Sequence, residues 1–330
     1  MIKKRTRLMT SAAALLAVLA ALLVAIPLMS TKSAAENVFE FVTGINDDGS
    51  LKKESKPYTA ITTYDEFQKI NENLSGNYVL EGNITLPSDW TCIGLNSPFT
   101  GCFDGNGYTI TVGADTTGTN KNLVPFFNNS GVIHNLKVTG TVSVNTYFGS
   151  VVSSNGSGGY VIDCSSDAKI TVTGIGNVGG IVGGIVGDNN GTVYKCQFTG
   201  KLATETKYGV SWYGGIAGSN SGTVDSCANY GSITGCADVG GIAGQNNRNG
   251  TVKGCLNAGD ISANAEDAGG ITGRNFGTIS SSFTSGNVTL AAYSNNTSYG
   301  GICAYNDGTI TGTYYDRGQF PGDGIGDGDK

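Results

Sequence analysis

The sequence contains few of the residues on which most catalytic chemistry depends. Only 14% of its 330 residues are charged, and His134 is the single histidine. There is no Cys-x-x-Cys pair and no His-Glu-x-x-His motif. These absences argue against a metal or redox function of the cysteines and against a zinc peptidase. With one histidine, no Ser-His-Asp or Cys-His system can be assembled, and His134 is expected to be a surface residue.

Glycine is the residue in excess, with 52 copies. Average domains contain about 7% glycine and about 25% charged residues, so both values of this chain are unusual. The absence of a Gly-X-Y period excludes collagen, and the spread of Val, Ile, Tyr and Phe argues against disorder. A turn-rich all-β protein is the class that this composition favours.

The first 35 residues have the pattern of an export segment. Four basic residues near the start precede an apolar run from about Leu8 to Met29, and small residues at 33–35 would suit cleavage. We therefore expect residues 1–35 to be a signal peptide or, because the run is long enough to span a bilayer, an N-terminal anchor. The remaining chain has 15 basic and 26 acidic residues, a net charge of −11, which disfavours nucleic acid and anionic lipid as partners. No other contact with a membrane is expected.

An internal repeat determines the predicted fold. The stretch GGIAGSNSGTVDSCANYGSI (214–233) recurs in related form four more times between residues 183 and 315, and two weaker copies cover 125–142 and 151–170. When aligned on the aliphatic residue after Gly-Thr, the copies are spaced by 28, 32, 31, 28, 27 and 31 residues. The aligned anchors are Ile133, Val161, Val193, Val224, Val252, Ile279 and Ile310.

Three further columns keep constant offsets from these anchors. An asparagine precedes each anchor by four residues, or by six where a two-residue turn insertion is expected: Asn129, Asn155, Asn189, Asn220, Asn246, Asn275 and Asn306. Three residues after the anchor stand Leu136, Cys164, Cys196, Cys227, Cys255, Ser282 and Thr313. Nine residues after the anchor an aliphatic residue recurs in all copies except the last. Short β-branched segments with constant internal spacing predict an all-β parallel β-helix, or β-solenoid, of about seven coils.

The rest of the chain is assigned around this repeat region, residues 123–318. Residues 36–57 are interpreted as a linker, and 58–122 as an N-terminal cap with the first coils. There, Thr63 and Glu66 match a capping box, and Phe67, Ile70 and Leu74 share one face of a short helix expected to cover the open end of the stack. Residues 319–330 form a tail of Gly and Asp, for which a solvated end is favoured over calcium binding.

The copies resemble the GLUG motif, the glycine-rich repeat of secreted and surface-displayed bacterial proteins. Some of these proteins are adhesin-like and some carry IgA-cleaving metallopeptidases. The segment TYDEFQKI…WTCIG…GCFDGNGYTI is similar to the one that commonly leads into such repeats, so the resemblance covers about residues 58–315. It implies a β-helix-like solenoid outside the cell. Because the zinc motif is absent, no proteolytic role is carried over.

The asparagine and cysteine columns are interpreted as structural ladders, because every coil needs them whatever the protein does. Leu136 in the cysteine column indicates an interior position, so buried free thiols are favoured over disulfides within the column. The chain must bend between anchor and column if both point inward. Cys92 and Cys102 flank a turn in an exported chain and are a candidate disulfide. Cys236 and Cys303 have no evident partner.

A speculative ligand face comprises residues before the Gly-Gly pairs of successive coils. Asp238 and Asp267 precede Gly-Gly by two residues and are expected to be adjacent, with no stacked Arg or Lys beside them. Aromatic residues cluster near the same turns, where they would stack on sugars or proteins, or pack at corners: Trp212, Tyr213, Tyr230, Tyr293 and Tyr299.

The leading hypothesis is an exported, non-enzymatic solenoid that presents a repetitive face for adhesion or for binding a glycan or protein. No cofactor or metal is expected. The alternatives are a carbohydrate-active β-helix enzyme that uses Asp238 and Asp267, and a structural spacer of the envelope.

Overall fold

Each repeat forms one coil of an all-β parallel solenoid with about seven turns. The computed structural model describes residues 37–113, 124–145, 147–173, 180–204, 211–290 and 298–328. Along one coil the chain contributes in turn to four sheets, which we call sheets 1 to 4, and all strand pairs within them are parallel. Sheet 1 has six strands: Phe148–Gly149, Gly180–Gly183, Ser211–Gly214, Asp238–Gly240, Ala268–Gly269 and Tyr299–Gly300.

The other three sheets are longer. Sheet 2 has eight strands: Phe126–Asn129, Val152–Asn155, Val186–Asn189, Ala217–Asn220, Ala243–Asn246, Thr272–Asn275, Cys303–Asn306 and Ile325–Gly328. Sheet 3 has ten: Thr59–Ile61, Asn77–Leu80, Cys102–Asp104, Val132–His134, Tyr160–Ile162, Thr192–Tyr194, Thr223–Asp225, Thr251–Lys253, Thr278–Ser280 and Thr309–Thr311. Sheet 4 has fourteen: Ile84–Thr85, Thr109–Val112, Lys137–Val144, Ser165–Ser166, Lys169–Val172, Gln197–Phe198, Lys201–Thr204, Ala228–Asn229, Ser232–Gly235, Leu256–Asn257, Ile261–Ala263, Phe283–Thr284, Val288–Leu290 and Tyr314–Tyr315.

The register of the sheets confirms the columns predicted from the sequence. On sheet 3 the anchors pair one above another, for example Val193 with Val224 and Val224 with Val252. The aliphatic residues nine positions later pair on sheet 4, as Leu202 does with Ile233. All of these side chains are buried in one continuous core, which is why a sequence with little hydrophobic bulk still folds.

A left-handed residue makes the predicted bend between each anchor and its cysteine-column residue. The residue two positions after every anchor has positive φ, between 48° and 61°: Asn135, Asp163, Lys195, Ser226, Gly254, Ser281 and Gly312. A flat strand would point residues three apart to opposite faces, so this turn is what lets both Val193 and Cys196 point inward.

Close approach of backbones explains the Gly-Gly pair of the repeat. A Cβ atom on Gly214 would collide with the carbonyl oxygen of Ala217, and one on Gly215 would collide with the carbonyl oxygen of Gly241 in the next coil. The pair forms the corner between sheets 1 and 2, where no side chain fits.

The sequence had indicated a linker over residues 36–57, but residues 38–57 form two paired strands. Val38–Ile45 and Leu51–Pro57 form an antiparallel hairpin. Its Phe41 and Val42 pack on outward-facing residues of sheet 3, including Ile162 and Tyr194, in a second hydrophobic cluster. The outward column of sheet 3 continues beyond Tyr194 with Asp225, Lys253, Ser280 and Thr311. Beyond Tyr194 the residues of this column are therefore polar.

The helical segment near the N-terminus is short. Helix α1 comprises Tyr64–Gln68 and continues as a 3-10 turn, Lys69–Glu72. The predicted capping box is confirmed, since Thr63 Oγ1 accepts from Glu66 N at 3.3 Å and Glu66 Oε2 accepts from Thr63 N at 3.1 Å. Phe67 and Ile70 are fully buried.

Of the tail, residues 319–330, for which a solvated end was expected, Asp323 and Asp327 are exposed, but other described residues pack on the stack. Phe320 is 4% exposed, and its ring packs against Tyr299 and Tyr315 at centroid distances of 5.5 and 6.2 Å. Beyond it, Ile325–Gly328 adds the last parallel strand of sheet 2. This strand was not predicted from the sequence, because glycine and aspartate are poor strand formers and because the segment lacks the repeat pattern.

Candidate functional site

The outward face of sheet 1 brings together three residues of the speculative ligand face. Trp212 pairs with Asp238, and the register of Val239 with Ala268 places Asp267 beside Asp238 on the next coil. The predicted adjacency of the two aspartates is therefore confirmed. Their carboxyl groups lie on the outer face, because the following residues on each strand point into the core.

Arg274 joins the two aspartates without being stacked in their column, so the expectation of no stacked Arg or Lys did not cover it. Its Nε donates to Asp267 Oδ2 at 2.8 Å and lies 3.2 Å from Asp238 Oδ1. Its Nη2 lies 3.8 Å from Glu266 Oε2. Arg274 belongs to a sheet 2 strand and reaches back around the corner of its own coil to sheet 1. Stacking in one column, the criterion used on the sequence, could not detect a contact around a corner.

Asp238 lies in an unfavourable electrostatic environment. Burial raises the pKa of its carboxyl group to about 7, and the charges of Asp267 and Glu266 act in the same direction, whereas Arg274 opposes them. The single N–H of Arg274 Nε is directed at Asp267, so the buried Asp238 Oδ1 accepts no hydrogen bond. Asp267 is better satisfied, because its Oδ1 also accepts from Ser298 N at 3.1 Å.

This arrangement is suited to holding two coils together. Asp238 and Asp267 are 3% and 5% exposed, and Arg274 bridges adjacent coils between them. A hydrolytic carboxylate pair must contact a sugar and a water molecule, which requires access to the carboxyl oxygens. The geometry therefore favours an ion-pair network over general acid–base chemistry.

The aromatic residues of the speculative face do not form one surface. Tyr213 is fully buried in the core, which fits the packing alternative and excludes it from a ligand face; the alternation of the strand that exposes Trp212 turns Tyr213 inward. Tyr299 is 50% exposed and packs on Phe320, and Tyr230 is 48% exposed after a sheet 4 strand. Tyr293 lies outside the described residues.

A groove is present elsewhere, at the corner between sheets 2 and 3. It has a volume of about 430 Å³ and is lined by Ser221, Gln245, Asn247, Arg248, Asn249 and Phe276. The turn that carries Arg248 and Asn249 is the two-residue insertion inferred from the spacing between Asn246 and its anchor. This turn protrudes from the stack and forms one wall of the groove.

Polar side chains of the groove are held in place by a small network. Gln245 Nε2 donates to Asn247 Oδ1 at 2.6 Å, and Asn247 Nδ2 donates to the hydroxyls of Ser219 and Ser221 at 3.0 and 2.9 Å. The Phe276 ring contacts that of Tyr305 at a centroid distance of 5.9 Å. Arg248 and Asn249 are exposed, and within the described part of the chain neither forms an ion pair or side-chain hydrogen bond.

The asparagine column forms a continuous amide ladder through the stack. Each Nδ2 donates to the Oδ1 of the next asparagine at 2.7 to 2.9 Å, from Asn129 to Asn306. The ladder lies under the corner, where Asn189 also donates to Gly191 O and accepts from Gly191 N. The prediction of a structural role at a turn is confirmed.

A second amide ladder was not recognised in the sequence. Asn229 Nδ2 donates to Asn257 Oδ1 at 2.7 Å, and Asn257 Nδ2 donates to Thr284 Oγ1 at 3.2 Å. Phe198 and Ser166 occupy the same column in earlier coils. The recurring Asn-x-Gly at 229–231 and 257–259 was the available signal, but a column that also holds phenylalanine does not look like a ladder.

The cysteine column is structural as predicted. Cys164, Cys196, Cys227 and Cys255 are free and at most 2% exposed. Each thiol donates to the carbonyl two residues earlier, as Cys227 does to Asp225 O at 3.3 Å. The hydroxyls of Ser282 and Thr313 make the same bond. The column therefore selects a small donor that closes the left-handed turn, and Leu136 is the exception.

The candidate disulfide between Cys92 and Cys102 is not formed. Cys92 lies in the central core, whereas Cys102 faces outward from sheet 3 into the cluster under the hairpin, with Lys56 Nζ 3.8 Å from its sulfur. Burial raises the pKa of Cys92 to about 11 and that of Cys303 to about 12. Cys236 is likewise buried, with its sulfur 3.4 Å from Tyr213 Oη.

His134 lies on the outward side of sheet 3, but it is not simply the surface residue that was expected. Its Nδ1 lies 2.6 Å from Asp104 Oδ2, and its Nε2 lies 3.5 Å from Asp163 Oδ2. The side chain of His134 is 17% exposed and that of Asp104 only 4%. The imidazole thus links three neighbouring coils, a role that sequence spacing alone did not reveal.

Among the described residues no group of three or more His, Cys, Asp or Glu side chains could hold a metal ion. In the same part of the chain, no helix is long and apolar enough to cross a membrane.

The chain was also compared with known proteins. No protein-family model matches the chain, and no curated protein matches it. Among solved structures, the chain is similar to one described as a "putative immunoglobulin A1 protease from Bacteroides ovatus", with 17% identity and a TM-score of 0.49. The match covers 83% of this chain and 77% of the other. A likeness at this level assigns neither a family nor an activity to the chain.

Proposed function

We propose that this chain is an exported, non-enzymatic β-solenoid that binds a glycan or protein ligand on its outer surface, in the manner of an adhesin. The observation that carries this proposal is the groove beside Phe276. It combines a half-buried aromatic ring with a network of amides and hydroxyls and with two exposed polar side chains. Such a combination of one ring and several polar groups is typical of sites that fix a polar ligand.

Export is supported by the sequence of residues 1–35, and membership of the GLUG-repeat proteins by the motifs of the coils. We also propose that the helical segment Tyr64–Glu72 covers the N-terminal end of the stack. The burial of Phe67, whose ring contacts those of Trp90 and Phe103, supports this role.

The test is a binding screen of the purified protein on arrays of glycans and of secreted or surface proteins. We expect at least one class of ligand to bind, and Phe276→Ala to weaken that binding by about tenfold or more, since loss of a stacking ring costs on the order of 1 kcal/mol or more. The matched control is Phe283→Ala, which removes an exposed phenylalanine from sheet 4. Binding that is lost equally in both variants, or no ligand on either array, would contradict the proposal. The second outcome is the one expected of a structural spacer.

One observation favours the alternative of a carbohydrate-active enzyme, namely the pKa of about 7 at Asp238 beside Asp267. A carboxyl group that keeps its proton near neutral pH is a candidate general acid. Incubation of the protein with a panel of polysaccharides tests this alternative. Release of reducing ends or unsaturated sugars by the wild-type protein, but not by Asp238→Asn or Asp267→Asn, would establish it and overturn the non-enzymatic proposal.

A further inference from the structure

We infer that the groove beside Phe276 is selective for a saccharide that carries a carboxylate, such as a uronic acid. This inference rests on the proposed function and names the ligand class of the same site. It follows from the charge of the groove, the state of its arginine and the chemistry of the remaining walls.

Arg248 is the only charged residue among the six that line the groove. It is exposed, and no described carboxylate lies within ion-pairing distance of it. The chain as a whole has a formal net charge of −6, whereas the lining of this groove carries one positive charge and no negative one. Its guanidinium is free to bind an anion from solution.

The contrast with Arg274 strengthens this point. Arg274 belongs to the coil that follows Gln245 on sheet 2, but its guanidinium is engaged by Asp238, Asp267 and Glu266. The two arginines thus differ in role. Arg274 neutralises internal carboxylates, whereas Arg248 offers its charge to the groove.

The other walls fit a sugar better than a peptide. Phe276 provides one ring on which the apolar face of a pyranose can stack. Gln245, Asn249 and Ser221 provide neutral donors and acceptors for hydroxyl groups, and none of the lining residues is aliphatic. A large apolar side chain of a peptide would need an apolar pocket, which a single ring with polar neighbours does not supply.

The carboxylate specificity comes from the planar fork of the guanidinium. Two parallel N–H groups of arginine match the two oxygens of a carboxylate, and such charge-assisted pairs are about twice as strong as neutral hydrogen bonds. The ring on Phe276 and the carboxylate at Arg248 would orient the sugar in the groove, and the amides would bind its hydroxyls.

The experiment compares binding of an oligouronate and of the same oligosaccharide after carboxyl reduction, by calorimetry at low and at physiological salt. We expect the wild-type protein to bind the acidic form about tenfold more tightly, with a preference that weakens as salt is added. Arg248→Gln should abolish the preference and leave the affinity for the reduced form unchanged. Arg248→Lys should retain part of it. Arg317→Gln, at another exposed arginine, is the matched control and should change nothing.

Equal affinity for the acidic and reduced forms would overturn the inference, as would a preference that survives in Arg248→Gln. If both forms bind alike and binding depends on Phe276, the proposed binding function stands and only the carboxylate specificity fails. If neither form binds, the inference is wrong, and the array screen decides separately whether another ligand supports the proposed function. A sulfated oligosaccharide that binds more tightly than the uronate at Arg248 would also contradict the carboxylate assignment.

Discussion

The side-chain amide of Asn189 donates to the amide oxygen of Asn220 at 2.8 Å, and Asn220 donates in the same way to Asn246. Each interior asparagine thus accepts from one coil and donates to the next, and Asn220 Nδ2 also donates to Thr251 O of the next coil at 3.3 Å. Asn220 is fully buried, so every one of these bonds is shielded from water. Its amide combines a donor and an acceptor, as a link in the middle of this ladder requires.

Replacement of Asn220 by alanine should lower the free energy of unfolding by about 2–3 kcal/mol. The change removes three inter-coil hydrogen bonds, to Asn189, Asn246 and Thr251, and leaves Asn246 Oδ1 without its donor from the ladder. Chemical denaturation followed by circular dichroism measures the effect. The matched control is Asn190→Ala, an exposed neighbour whose loss should cost about 0.5 kcal/mol or less. Equal effects of the two substitutions would contradict a stabilising ladder.

The fold should tolerate replacement of Cys227 by serine but not by valine. A hydroxyl preserves the bond to Asp225 O, and Ser282 already makes this bond in its own coil, whereas valine leaves the carbonyl without its donor. We expect Cys227→Val to destabilise the protein by about 1–2 kcal/mol more than Cys227→Ser does. Equal stability of the two variants in thermal denaturation would show that volume alone matters in this column.

The native cysteines should resist alkylation. All eight are buried, so a reagent in solution has no access to their sulfur atoms. Burial raises the pKa of Cys196 and Cys255, whereas at Cys227 the hydrogen bonds with these two neighbours outweigh burial and lower the pKa to about 5. Because access and not ionisation is limiting, iodoacetamide at pH 8 should modify the cysteines only after unfolding. Mass spectrometry with and without denaturant gives the count, and rapid labelling of the column in the native protein would contradict this prediction.

Features that repeat could be predicted from the sequence, and features that occur once could not. The anchor, the asparagine and the cysteine positions recur in every coil, so their offsets specify the register, and the parity of Val193 and Cys196 even required the bend found at Lys195. Three features occur only once: the ion pairs of Arg274, the hairpin Val38–Pro57 and the packing of Phe320 on Tyr299 and Tyr315. Their contacts are made around corners or between distant segments, where periodicity carries no information.

The groove is another feature that occurs once and could not be predicted from the sequence. The two-residue insertion after Asn246 was visible as a change in spacing, but it was interpreted only as a longer turn. Its significance depends on Phe276, which stands at the corner of the following coil, where earlier coils have Asn190 and Ser221. A single aromatic in an otherwise polar column was the available signal.

Asp238 should make the protein less stable as the pH rises. Its pKa is about 7 in the folded state and 3.8 in the reference state, so between these values the folded form retains a proton that the unfolded form releases. The penalty is absent below about pH 4, grows through this window and is complete above pH 7, where it is on the order of 4 kcal/mol. Asp238→Asn should therefore match the wild type near pH 4 and exceed its stability at pH 8.

Denaturation at several pH values between 4 and 8 measures this difference. The matched control is Asp307→Asn, at an exposed aspartate, which should follow the wild-type curve. An Asp238→Asn variant whose stability stays parallel to that of the wild type over the whole range would show that Asp238 does not titrate in this window.

Replacement of Arg274 should lower the stability of the protein, whereas replacement of Asp238 should raise it. Arg274→Gln leaves the two buried carboxylates without their cation, so we expect a loss of about 3–5 kcal/mol at pH 8. The loss should shrink toward pH 5, where Asp238 holds its proton. Arg248→Gln provides the control, since that exposed arginine has no ion pair among the described residues and its replacement should leave stability unchanged. A loss that is independent of pH would indicate that Arg274 acts through packing alone.

Phe320 should stabilise the C-terminal coil. Its ring is 4% exposed and fills the space between Tyr299 and Tyr315, which also donates from its hydroxyl to Gly322 O at 2.9 Å. Phe320→Ala should cost about 3 kcal/mol and free the strand Ile325–Gly328 from its pairing with Cys303–Asn306.

Because coils of a solenoid contact only their neighbours, the loss of structure in Phe320→Ala should stay local. Hydrogen exchange should therefore rise from about residue 299 onward and remain unchanged near Val193, whereas the control Phe283→Ala should raise it in neither place. Uniform loss of protection along the whole stack would show instead that the solenoid unfolds as a single cooperative unit.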